Sequence, residues 1–277
     1  MSKTILLTGA TDGIGLEAAK LLAKSGHRVL LHGRSKDKLA SASAAVAAVA
    51  NDTDVKTYCA DLSTVEATES LAQEVIASND RLDVLINNAG VLKTPETVTS
   101  EGLDIRFAVN TIAPYLLTKA LLPLLGDQAR VVNLSSAAQA SVDLAALANA
   151  TGLDDMEAYS QSKLAITMWT NGVASSLQDR SIMLVSVNPG SLLGSKMVSD
   201  AFGVQGKSLS IGAEILSRAA LSPEFEQASG LYFDNDAGDF GPPHADALNI
   251  TQCMAVVEAI EQTIARVKNA RVKNAGS

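Results

Sequence analysis

Residues 4–15 read TILLTGATDGIG, a glycine-rich segment that joins two different patterns. The apolar run from Ile5 to Leu7 indicates a short buried strand, and the pattern from Leu16 to about Ser25 indicates a helix. The glycines between them allow the backbone to approach a pyrophosphate, and the N-terminus of the helix supplies free N–H groups and a positive dipole end. A glycine-rich packing turn is the alternative. The position inside a strand-helix-strand unit, which closes with the strand Val29–His32, favours nucleotide binding.

Strand and helix patterns alternate along the rest of the chain. We predict strands near residues 4–8, 28–32, 54–59, 82–87, 129–134, 182–188 and 230–233. We predict helices near residues 14–25, 36–49, 64–78, 101–124, 156–178, 211–221 and 246–266. This alternation predicts an α/β fold, a Rossmann-like doubly wound parallel sheet with helices on both faces. Ligands bind beyond the carboxyl ends of the strands in such sheets.

A single domain is predicted over residues 1–266. The chain has 277 residues, 47% of them apolar, which is enough for one large core. The sequence Ala-Arg-Val-Lys-Asn occurs at 265–269 and again at 270–274, and it is too short and polar for a structural repeat. We therefore expect residues 267–277 to form a frayed or disordered tail.

Charge, cysteine content and hydropathy exclude several classes of function. The 22 basic and 30 acidic residues give a net charge of −8, which argues against binding to nucleic acid. Cys59 and Cys253 lack the spacing of a disulfide framework, and the histidines are scattered, so no metal site is expected. No segment reaches the roughly 18 apolar residues of a membrane helix, and the first strand begins too early for a signal peptide. We expect a cytoplasmic protein without a membrane span.

Tyr159 and Lys163 lie four residues apart in a segment compatible with a helix, which places a phenol and an ammonium group on one helical face. A nearby lysine cation favours the phenolate and lowers the pKa of a tyrosine from its ordinary value of about 10. The pair is therefore a candidate for acid–base catalysis. Two surface residues at this spacing are common, so the pair gains weight only from other motifs.

Further motifs follow the glycine-rich turn. The series is Thr8-Gly9-x-x-x-Gly13-Ile14-Gly15, Asp61-Leu62, Asn87-Asn88-Ala89-Gly90, Asn110, Val131-Val132-Asn133-Leu134-Ser135-Ser136, Tyr159-x-x-x-Lys163 and Asn188-Pro189-Gly190. The glycine spacing differs from the dinucleotide fingerprint Gly-x-Gly-x-x-Gly. In this order, and over nearly the whole chain, the motifs resemble those of the short-chain dehydrogenase/reductase family. The resemblance implies a Rossmann-like oxidoreductase that uses a nicotinamide cofactor.

The resemblance also implies which residues bind the cofactor. Asp61 would accept a hydrogen bond from the adenine amine beside Leu62, with an Asx turn as its alternative role. The backbone of Leu192 and the hydroxyl of Ser195 would hold the carboxamide, although the family usually has a threonine there after a shorter spacer. The full set is Gly9, Thr11, Asp12, Gly13, Ile14, Gly15, Arg34, Ser35, Asp61, Leu62, Asn87, Ala89, Gly90, Tyr159, Lys163, Pro189, Gly190, Leu192 and Ser195.

The residues after the second strand favour NADP(H) over NAD(H). NAD-specific sites place an acid at this point to bind the ribose hydroxyls, and this chain has Gly33 there. Arg34 follows, with Lys36 and Lys38 close behind, and its guanidinium can bind the 2′-phosphate of NADP through two parallel hydrogen bonds. A solvated arginine at the start of a helix is the alternative.

Four residues are assigned to catalysis by the same resemblance. Tyr159 donates a proton in reduction and acts as the base in oxidation, and Lys163 lowers the pKa of that phenol and binds the nicotinamide ribose. Ser136, rather than Ser135, donates to the carbonyl oxygen because it holds the family's position after the strand. Asn110 matches the asparagine that holds a water for relaying protons. Its alternative role is that of a buried polar residue satisfying its own helix.

The segment between Ser136 and Tyr159 bears on the substrate. The spacing of 23 residues resembles the longer insertion of the retinol-dehydrogenase-like and carbonyl-reductase-like members, which implies a hydrophobic ketone or aldehyde as substrate or an alcohol as its reduced partner. Residues 191–210, rich in glycine and serine, indicate a lid over the substrate or an inert surface loop.

Other functions remain open at this point. An enoyl- or quinone-type reductase is compatible with the same residues, because a tyrosine can protonate carbon or oxygen. A binding module that senses NADP(H) without turnover is the second alternative, disfavoured by an intact proton donor. The resemblance leaves the oligomeric state open. Family members often pair through the helices near 101–124 and 156–178, whereas carbonyl-reductase-like members with an insertion before the tyrosine can be monomers. We expect a homodimer.

Overall fold

The computed structural model describes residues 2–50 and 55–275, and in that part of the chain the strands form one sheet. The strands are β1 (Thr4–Leu7), β2 (Arg28–Gly33), β3 (Lys56–Cys59), β4 (Leu82–Asn87), β5 (Leu125–Leu134), β6 (Met183–Asn188), β7 (Tyr232–Asp234) and β8 (Asp239–Phe240). Their order across the sheet is β3-β2-β1-β4-β5-β6-β7-β8, parallel except for the antiparallel pair of β7 and β8. The chain reverses its direction of travel between β1 and β4, the switch point at which such sheets bind ligands. The predicted fold class is confirmed.

Helices cover both faces of the sheet. The α-helices are α1 (Gly13–Lys24), α2 (Lys36–Ala47), α3 (Val65–Ala77), α4 (Ile105–Phe107), α5 (Ala113–Leu121), α6 (Leu144–Ala148), α7 (Asp155–Ala174), α8 (Lys196–Phe202), α9 (Leu209–Leu221) and α10 (Ile250–Ala275). A π-helical turn, Ala108–Ile112, joins α4 to α5 and divides the helix predicted near 101–124. Short 3-10 turns are found at Ser175–Arg180, Pro223–Phe225 and Ala245–Leu248. The elements α6, α8 and β8 have no predicted counterpart, because such short pieces show no measurable period.

Adjacent residues of each central strand serve two different cores. In β4, Leu85 packs on the side of α3, α5, α7 and α10, whereas Val84 and Ile86 pack on the side of α1, α2 and α9. Successive side chains of a strand point to opposite faces, and a parallel sheet covered on both faces needs apolar residues on both. This explains why the central strands are continuous apolar runs.

The C-terminal helix continues much further than predicted. Residues 267–275 belong to α10 and are not a frayed tail, while 276 and 277 lie outside the described residues. Val267 is buried in the core, and the guanidinium of Arg271 pairs with Glu66 at 3.4 Å and with Glu69 at 3.2 Å on α3. The polar sequence repeat therefore contains one buried apolar residue, Val267, and a basic side chain, that of Arg271, which meets acids on another helix.

Helix α10 also lies over the face predicted for dimerisation. The hydroxyl of Tyr115 on α5 donates to Glu261 of α10, and a Cβ at Gly172 of α7 would lie 3.2 Å from Cγ2 of Val257. Trp169 of α7 is fully buried beneath this helix layer. The faces of α5 and α7 that contact α10 are therefore inside the protomer. A homodimer stays a prediction.

No helix within residues 2–50 and 55–275 combines the length and the apolarity that crossing a bilayer demands.

Candidate active site

The loops that carry the sequence motifs follow the carboxyl ends of the central strands. The glycine-rich turn follows β1, residues 87–90 lie at the end of β4, Ser136 follows β5 and Pro189 follows β6. Helix α7 brings Lys163 to the same edge, where its Nζ donates to the carbonyl oxygen of Leu134 at 2.7 Å. The predicted motifs therefore meet beside the switch point of the sheet.

The glycine-rich turn requires glycine for two different reasons. Gly9 has a φ of +66°, a left-handed conformation that glycine adopts without strain. A Cβ at Gly15 would lie 2.3 Å from the carbonyl oxygen of Gly9, so no side chain fits there. Asp12 caps α1 by accepting a hydrogen bond from the Gly13 N–H at 2.8 Å. This close packing leaves the N-terminus of α1 at the sheet edge, as a phosphate-binding turn requires.

Thr8 and Asn88 join the first turn to the turn after β4. Asn88 Nδ2 donates to the carbonyl oxygens of Thr8 at 2.8 Å and Gly9 at 3.0 Å. The Thr8 Oγ1 accepts from the N–H groups of Asn88 at 3.0 Å and Ala89 at 3.1 Å. These two residues were absent from the predicted site residues, although both stand inside the quoted motifs. They make the two loops one rigid unit.

Asn87, whose contact with the cofactor remains a prediction, has an interior side chain. Its Nδ2 donates to Asn133 Oδ1 at 2.8 Å and to Thr118 Oγ1 at 3.4 Å. The reason is that Asn87 is still a residue of β4, whose side chains alternate between the faces. Gly90, by contrast, lies at the site, because a Cβ on it would be 3.4 Å from Asn110 Oδ1 and 3.5 Å from Lys163 Nζ.

The end of β2 excludes an acidic side chain. A Cβ at Gly33 would lie 2.4 Å from Cγ2 of Thr11, the methyl group that fills this space. Arg34 is exposed, and within the described part of the chain its guanidinium has no ion pair. Ser35 caps α2, its Oγ accepting from the Lys38 N–H at 3.5 Å. The Arg34 guanidinium is therefore available to bind an anion, next to Gly33, where an acidic side chain does not fit. Ile14, also among the predicted residues, packs partly buried against the adjacent core.

His32 supports the same region, and the sequence analysis assigns it no role. Its ring is buried, with Nδ1 accepting from the Gly9 N–H at 3.4 Å and Nε2 lying 3.0 Å from the carbonyl oxygen of Ala60. Burial lowers the pKa of His32 to about 4, so the ring is neutral and its Nε2–H donates to Ala60. In the sequence, the sign of this role is that His32 is a polar residue inside an otherwise apolar strand.

Asp61 and Leu62 follow β3 directly. One carboxylate oxygen of Asp61 accepts from the Ser63 N–H at 3.0 Å, which is the Asx turn foreseen as its alternative role. The second carboxylate oxygen of Asp61 would be the one to accept from the adenine amine, and this contact remains a prediction. The side chain of Leu62 is only 5% exposed and lies in the core, which differs from its expected place beside the ring.

Lys163 is a buried cation next to Tyr159. Its side chain is 4% exposed, and its Nζ lies 5.7 Å from the centre of the Tyr159 ring. Burial lowers the pKa of Lys163 to about 8. Its charge is therefore present near neutral pH and is lost at mildly alkaline pH.

The pKa of Tyr159 is shifted in the direction opposite to the one expected. Burial of the phenol raises the pKa, and a hydrogen bond with the side chain of Ser136 lowers it by less. The Lys163 ammonium does not reverse this rise in the Tyr159 pKa. Its Nζ donates to the Leu134 carbonyl oxygen and lies over the face of the ring. In the protein alone, Tyr159 is a protonated phenol at neutral pH.

The two adjacent serines have separate environments. Ser135 is buried, its Oγ donating to the Lys163 carbonyl oxygen at 2.9 Å and lying 2.7 Å from Thr167 Oγ1. Ser136 is more exposed, accepts from the Ala138 N–H at 3.1 Å and lies close enough to Tyr159 to lower the pKa of the phenol. Ser136 therefore reaches the phenol, whereas Ser135 fastens β5 to α7.

Asn110 lies in the π-helical turn and does not satisfy its own helix. Its Oδ1 accepts from the Val91 N–H at 2.8 Å, and its Nδ2 donates to the Val91 carbonyl oxygen and to Ser162 Oγ, both at 2.9 Å. A π-helical turn commonly marks a functional position in a helix. The alternative role given to Asn110 is therefore not what the structure shows, and the water relay remains a prediction.

An acidic residue holds the loop after β6. Asp236 accepts from the Ser191 N–H at 2.9 Å, from the Ser191 hydroxyl at 2.5 Å and from Asn188 Nδ2 at 3.0 Å. Burial would raise the pKa of Asp236, but these hydrogen bonds together lower it. Asn235 Nδ2 adds a bond to the Pro189 carbonyl oxygen at 2.9 Å. The sequence analysis missed Asp236, because an aspartate among glycines also suits a plain turn.

The segment Ser191–Ser210 is a folded unit with its own helix. Leu192 has a φ of +55° and is 47% exposed, and the short helix α8 has no buried residue. Gly194 N–H donates to the Lys207 carbonyl oxygen and Lys207 N–H to that of Leu192, both at 2.7 Å. These two hydrogen bonds join Lys207 to the beginning of the segment. The role of the segment as a lid over the substrate stays a prediction.

Ser195 serves mainly as a cap in this arrangement. Its Oγ accepts from the Val198 N–H at 3.3 Å at the start of α8. Its Cβ is 3.6 Å from where a Cβ on Gly13 would lie, which puts Ser195 beside the glycine-rich turn. The carboxamide contacts predicted for the Ser195 hydroxyl and the Leu192 backbone remain predictions.

The buried charge of Lys163 should make stability depend on pH. Its pKa is about 8 in the folded protein against an ordinary value of 10.5, so the unfolded chain binds this proton more tightly. The contribution of Lys163 to the free energy of unfolding is therefore lowest below pH 8 and rises as the pH approaches 10.5. The gain should be up to about 3 kcal/mol. Urea unfolding of the wild type and Lys163→Met at both pH values measures it, and a constant difference between the two proteins would contradict the shift.

Comparisons with known proteins agree with this geometry. A family model described as short chain dehydrogenase matches residues 3–203. Retinol dehydrogenase 13 of Mus musculus is 32% identical over 251 residues, covering 84% of this chain and 75% of that protein. Retinol dehydrogenase 12 of the same organism is 34% identical over 246 residues, covering 84% and 78%.

Solved structures are similar in fold. A putative uncharacterized protein from Mycobacterium paratuberculosis superimposes with a TM-score of 0.77 at 25% identity, covering 95% of this chain and 93% of that one. The angucycline C-6 ketoreductase LanV with bound NADP gives a TM-score of 0.67 at 25% identity, covering 84% and 93%. A short chain dehydrogenase from Shigella flexneri complexed with NADP gives 0.67 at 28% identity, covering 84% and 97%.

Proposed function

Because the chain belongs to the short-chain dehydrogenase family, in which nicotinamide-dependent oxidoreduction is the shared activity, we propose that it is an NADP(H)-dependent reductase of carbonyl groups. The observation that supports this proposal most is that Ser136 lies close enough to Tyr159 to lower the pKa of its phenol, while Lys163 and Asn110 both lie beside Gly90. A donor for the carbonyl oxygen, a proton source and a cation thus meet at the switch point of the sheet.

The residues of the first turn suit a dinucleotide. The missing side chains at Gly9, Gly15 and Gly33 create close backbone approaches, and the N-terminus of α1 favours negative charge. NADPH, when bound, supplies the hydride. The glycine-rich turn would hold its pyrophosphate, Arg34 its 2′-phosphate and Lys163 its nicotinamide ribose.

Tyr159 is suited to proton donation in the reductive direction. Because burial raises its pKa, the phenol is protonated at neutral pH and can give its proton to the developing alkoxide. Ser136 donates a second hydrogen bond to the same oxygen. Oxidation of an alcohol would need the phenolate, which the charges of Lys163 and of the oxidised cofactor together favour.

A hydrophobic ketone or aldehyde is the proposed substrate class. Leu192, Phe202 and Val204, three large apolar side chains in the segment that follows β6, are between 42% and 49% exposed. The related retinol dehydrogenases and the ketoreductase carry names of enzymes for alcohols and ketones. These observations support an apolar carbonyl compound.

The test is oxidation of NADPH in the presence of a panel of hydrophobic aldehydes and ketones, with activated alkenes and quinones as separate members. We expect turnover of carbonyl compounds and an alcohol product. Reduction of a carbon–carbon double bond or a quinone would replace this proposal by the alternative reductase. Tight NADPH binding with no turnover of any member would indicate a sensing module.

Arg34→Ala should weaken NADPH binding by about ten- to a hundred-fold and leave NADH binding unchanged, since a charge-assisted hydrogen bond contributes about 1.5 to 3 kcal/mol. The physical reason is that only NADP presents the 2′-phosphate to this exposed guanidinium. Fluorescence titration of both cofactors into both proteins measures the effect. Lys36→Ala, which removes a neighbouring exposed cation, is the matched control and should change less. Equal losses for both cofactors would refute the role of Arg34.

A further inference from the structure

Arg106 is a fully buried cation that joins two helices of the site. Its Nη2 donates to Asp104 Oδ2 at 2.8 Å, and its Nη1 donates to Asp155 Oδ1 at 2.9 Å. Arg106 belongs to α4, and Asp155 is the first residue of α7. Its Nε has no hydrogen-bond partner within the described residues, so the side chain is held by the two carboxylates.

The positions of these residues in their helices relate them to the catalytic candidates. Arg106 precedes Asn110 by four residues, and Asp155 precedes Tyr159 by four. Residues four apart lie on the same side of a helix, one turn from each other. The ion pair therefore joins the two helices one turn before each candidate.

A second connection lies on the far side of Tyr159. Asn110 Nδ2 donates to Ser162 Oγ at 2.9 Å, and Thr111 Oγ1 donates to the Ser162 carbonyl oxygen at 2.8 Å. Tyr159 thus occupies the stretch of α7 between two attachments to the same neighbouring segment, at Asp155 and at Ser162. The orientation of its phenol depends on both.

Stability alone is a weak explanation for this ion pair. Taking a guanidinium out of water costs several kcal/mol, and apolar residues of similar volume often stabilise a core at least as well. Burial raises the pKa of Asp104, and the hydrogen bonds and charge of Arg106 act against that shift. What the pair supplies, in contrast to an apolar contact, is fixed direction through two charge-assisted hydrogen bonds.

We infer that Arg106 and Asp155 form a clamp that positions Tyr159 for proton transfer, an inference that rests on the proposed function. Arg106 acts through α7 and is a positioning residue, since its side-chain hydrogen bonds within the described residues go to Asp104 and Asp155 and not to Tyr159 or Ser136. Loosening the clamp lets the first turn of α7 move and admits water to the phenol. Misplacement of a reacting group by about 1 Å can cost about a hundred-fold in rate.

The variant that tests the clamp is Asp155→Asn, because Asp155 is the partly exposed partner and its replacement keeps the buried pair of Arg106 and Asp104. We expect kcat for the best panel substrate to fall about ten- to a hundred-fold, with KM and NADPH affinity unchanged. Glu157→Gln is the matched control, since it removes one exposed negative charge from the same helical turn without an ion pair. Asp155→Glu should restore most of the rate.

A second measurement is independent of turnover. Alkaline absorbance titration, with Tyr159→Phe as the reference that removes the Tyr159 signal, reports the ionisation of this phenol. In Asp155→Asn the Tyr159 pKa should fall toward its ordinary value, because added water favours the phenolate. A lower Tm with unchanged kcat and unchanged Tyr159 titration would overturn the inference, as would equal effects in Glu157→Gln. If no panel compound is turned over, the proposed function fails while this titration still decides about the clamp.

Discussion

Tyr159→Phe should reduce kcat by about a hundred- to ten-thousand-fold, the range that a positioned proton donor contributes. The substitution removes one hydroxyl and keeps the ring, so the packing around α7 and the position of Lys163 Nζ over the ring should persist. NADPH affinity should stay at the wild-type value, because the glycine-rich turn, Arg34 and Lys163, which would hold the cofactor, are unchanged. Steady-state rates with the best panel substrate, together with fluorescence titration of NADPH, measure both quantities.

Two outcomes would contradict the role given to Tyr159 as proton donor. Wild-type turnover in the phenylalanine variant would remove Tyr159 from the mechanism, whatever else the protein reduces. Loss of NADPH binding together with loss of rate would instead assign the tyrosine to cofactor binding. A suitable control is Tyr232→Phe, because Tyr232 is another buried tyrosine, whose hydroxyl donates to the Ser136 carbonyl oxygen at 3.1 Å.

Ser136→Ala should lower kcat by about a hundred- to a thousand-fold, as removal of one donor from an oxyanion site does. Cofactor affinity should not change. Of the two serines, Ser136 is the one close enough to Tyr159 to lower the pKa of the phenol, so its hydroxyl can donate to a carbonyl oxygen that meets the phenol. Rates measured at saturating NADPH separate this loss from any effect on cofactor binding.

Ser135→Ala is the matched comparison and should behave differently. Its hydroxyl bonds to the Lys163 carbonyl oxygen and to Thr167, so its loss should lower the free energy of unfolding by about 1 to 3 kcal/mol. The rate of the folded protein should change little. A crippled Ser135→Ala with an active Ser136→Ala would show that the two serines have been assigned the wrong way round.

Local patterns were enough to predict the fold and the general position of the site. Every predicted strand has an observed counterpart, because buried parallel strands are continuous apolar runs that interrupt the helical pattern. The glycine-rich turn was predictable for a similar reason, since glycine at such positions reflects a local backbone need. The placement of Gly9, Gly15 and Gly33 in the structure agrees with that reasoning.

Long-range contacts account for what was not predictable. Asp236 and His32 hold loops that are far from them in sequence, and no spacing reveals that. The inward turn of the Asn87 side chain depends on where β4 ends, a boundary that sequence patterns locate poorly. The pKa of Tyr159 depends on burial in three dimensions, which outweighed the expected influence of Lys163.

Helix α10 has a consequence for how the protein is made. The ribosome delivers a chain from its N-terminus, and domains fold as their residues emerge. Helix α10, Ile250–Ala275, emerges after the helix bearing Tyr159 and lies over it and over Trp169. A nascent or truncated chain that stops before Ile250 leaves this apolar layer open to water and to chaperones. Trp169 fluorescence therefore reports when α10 has covered this layer.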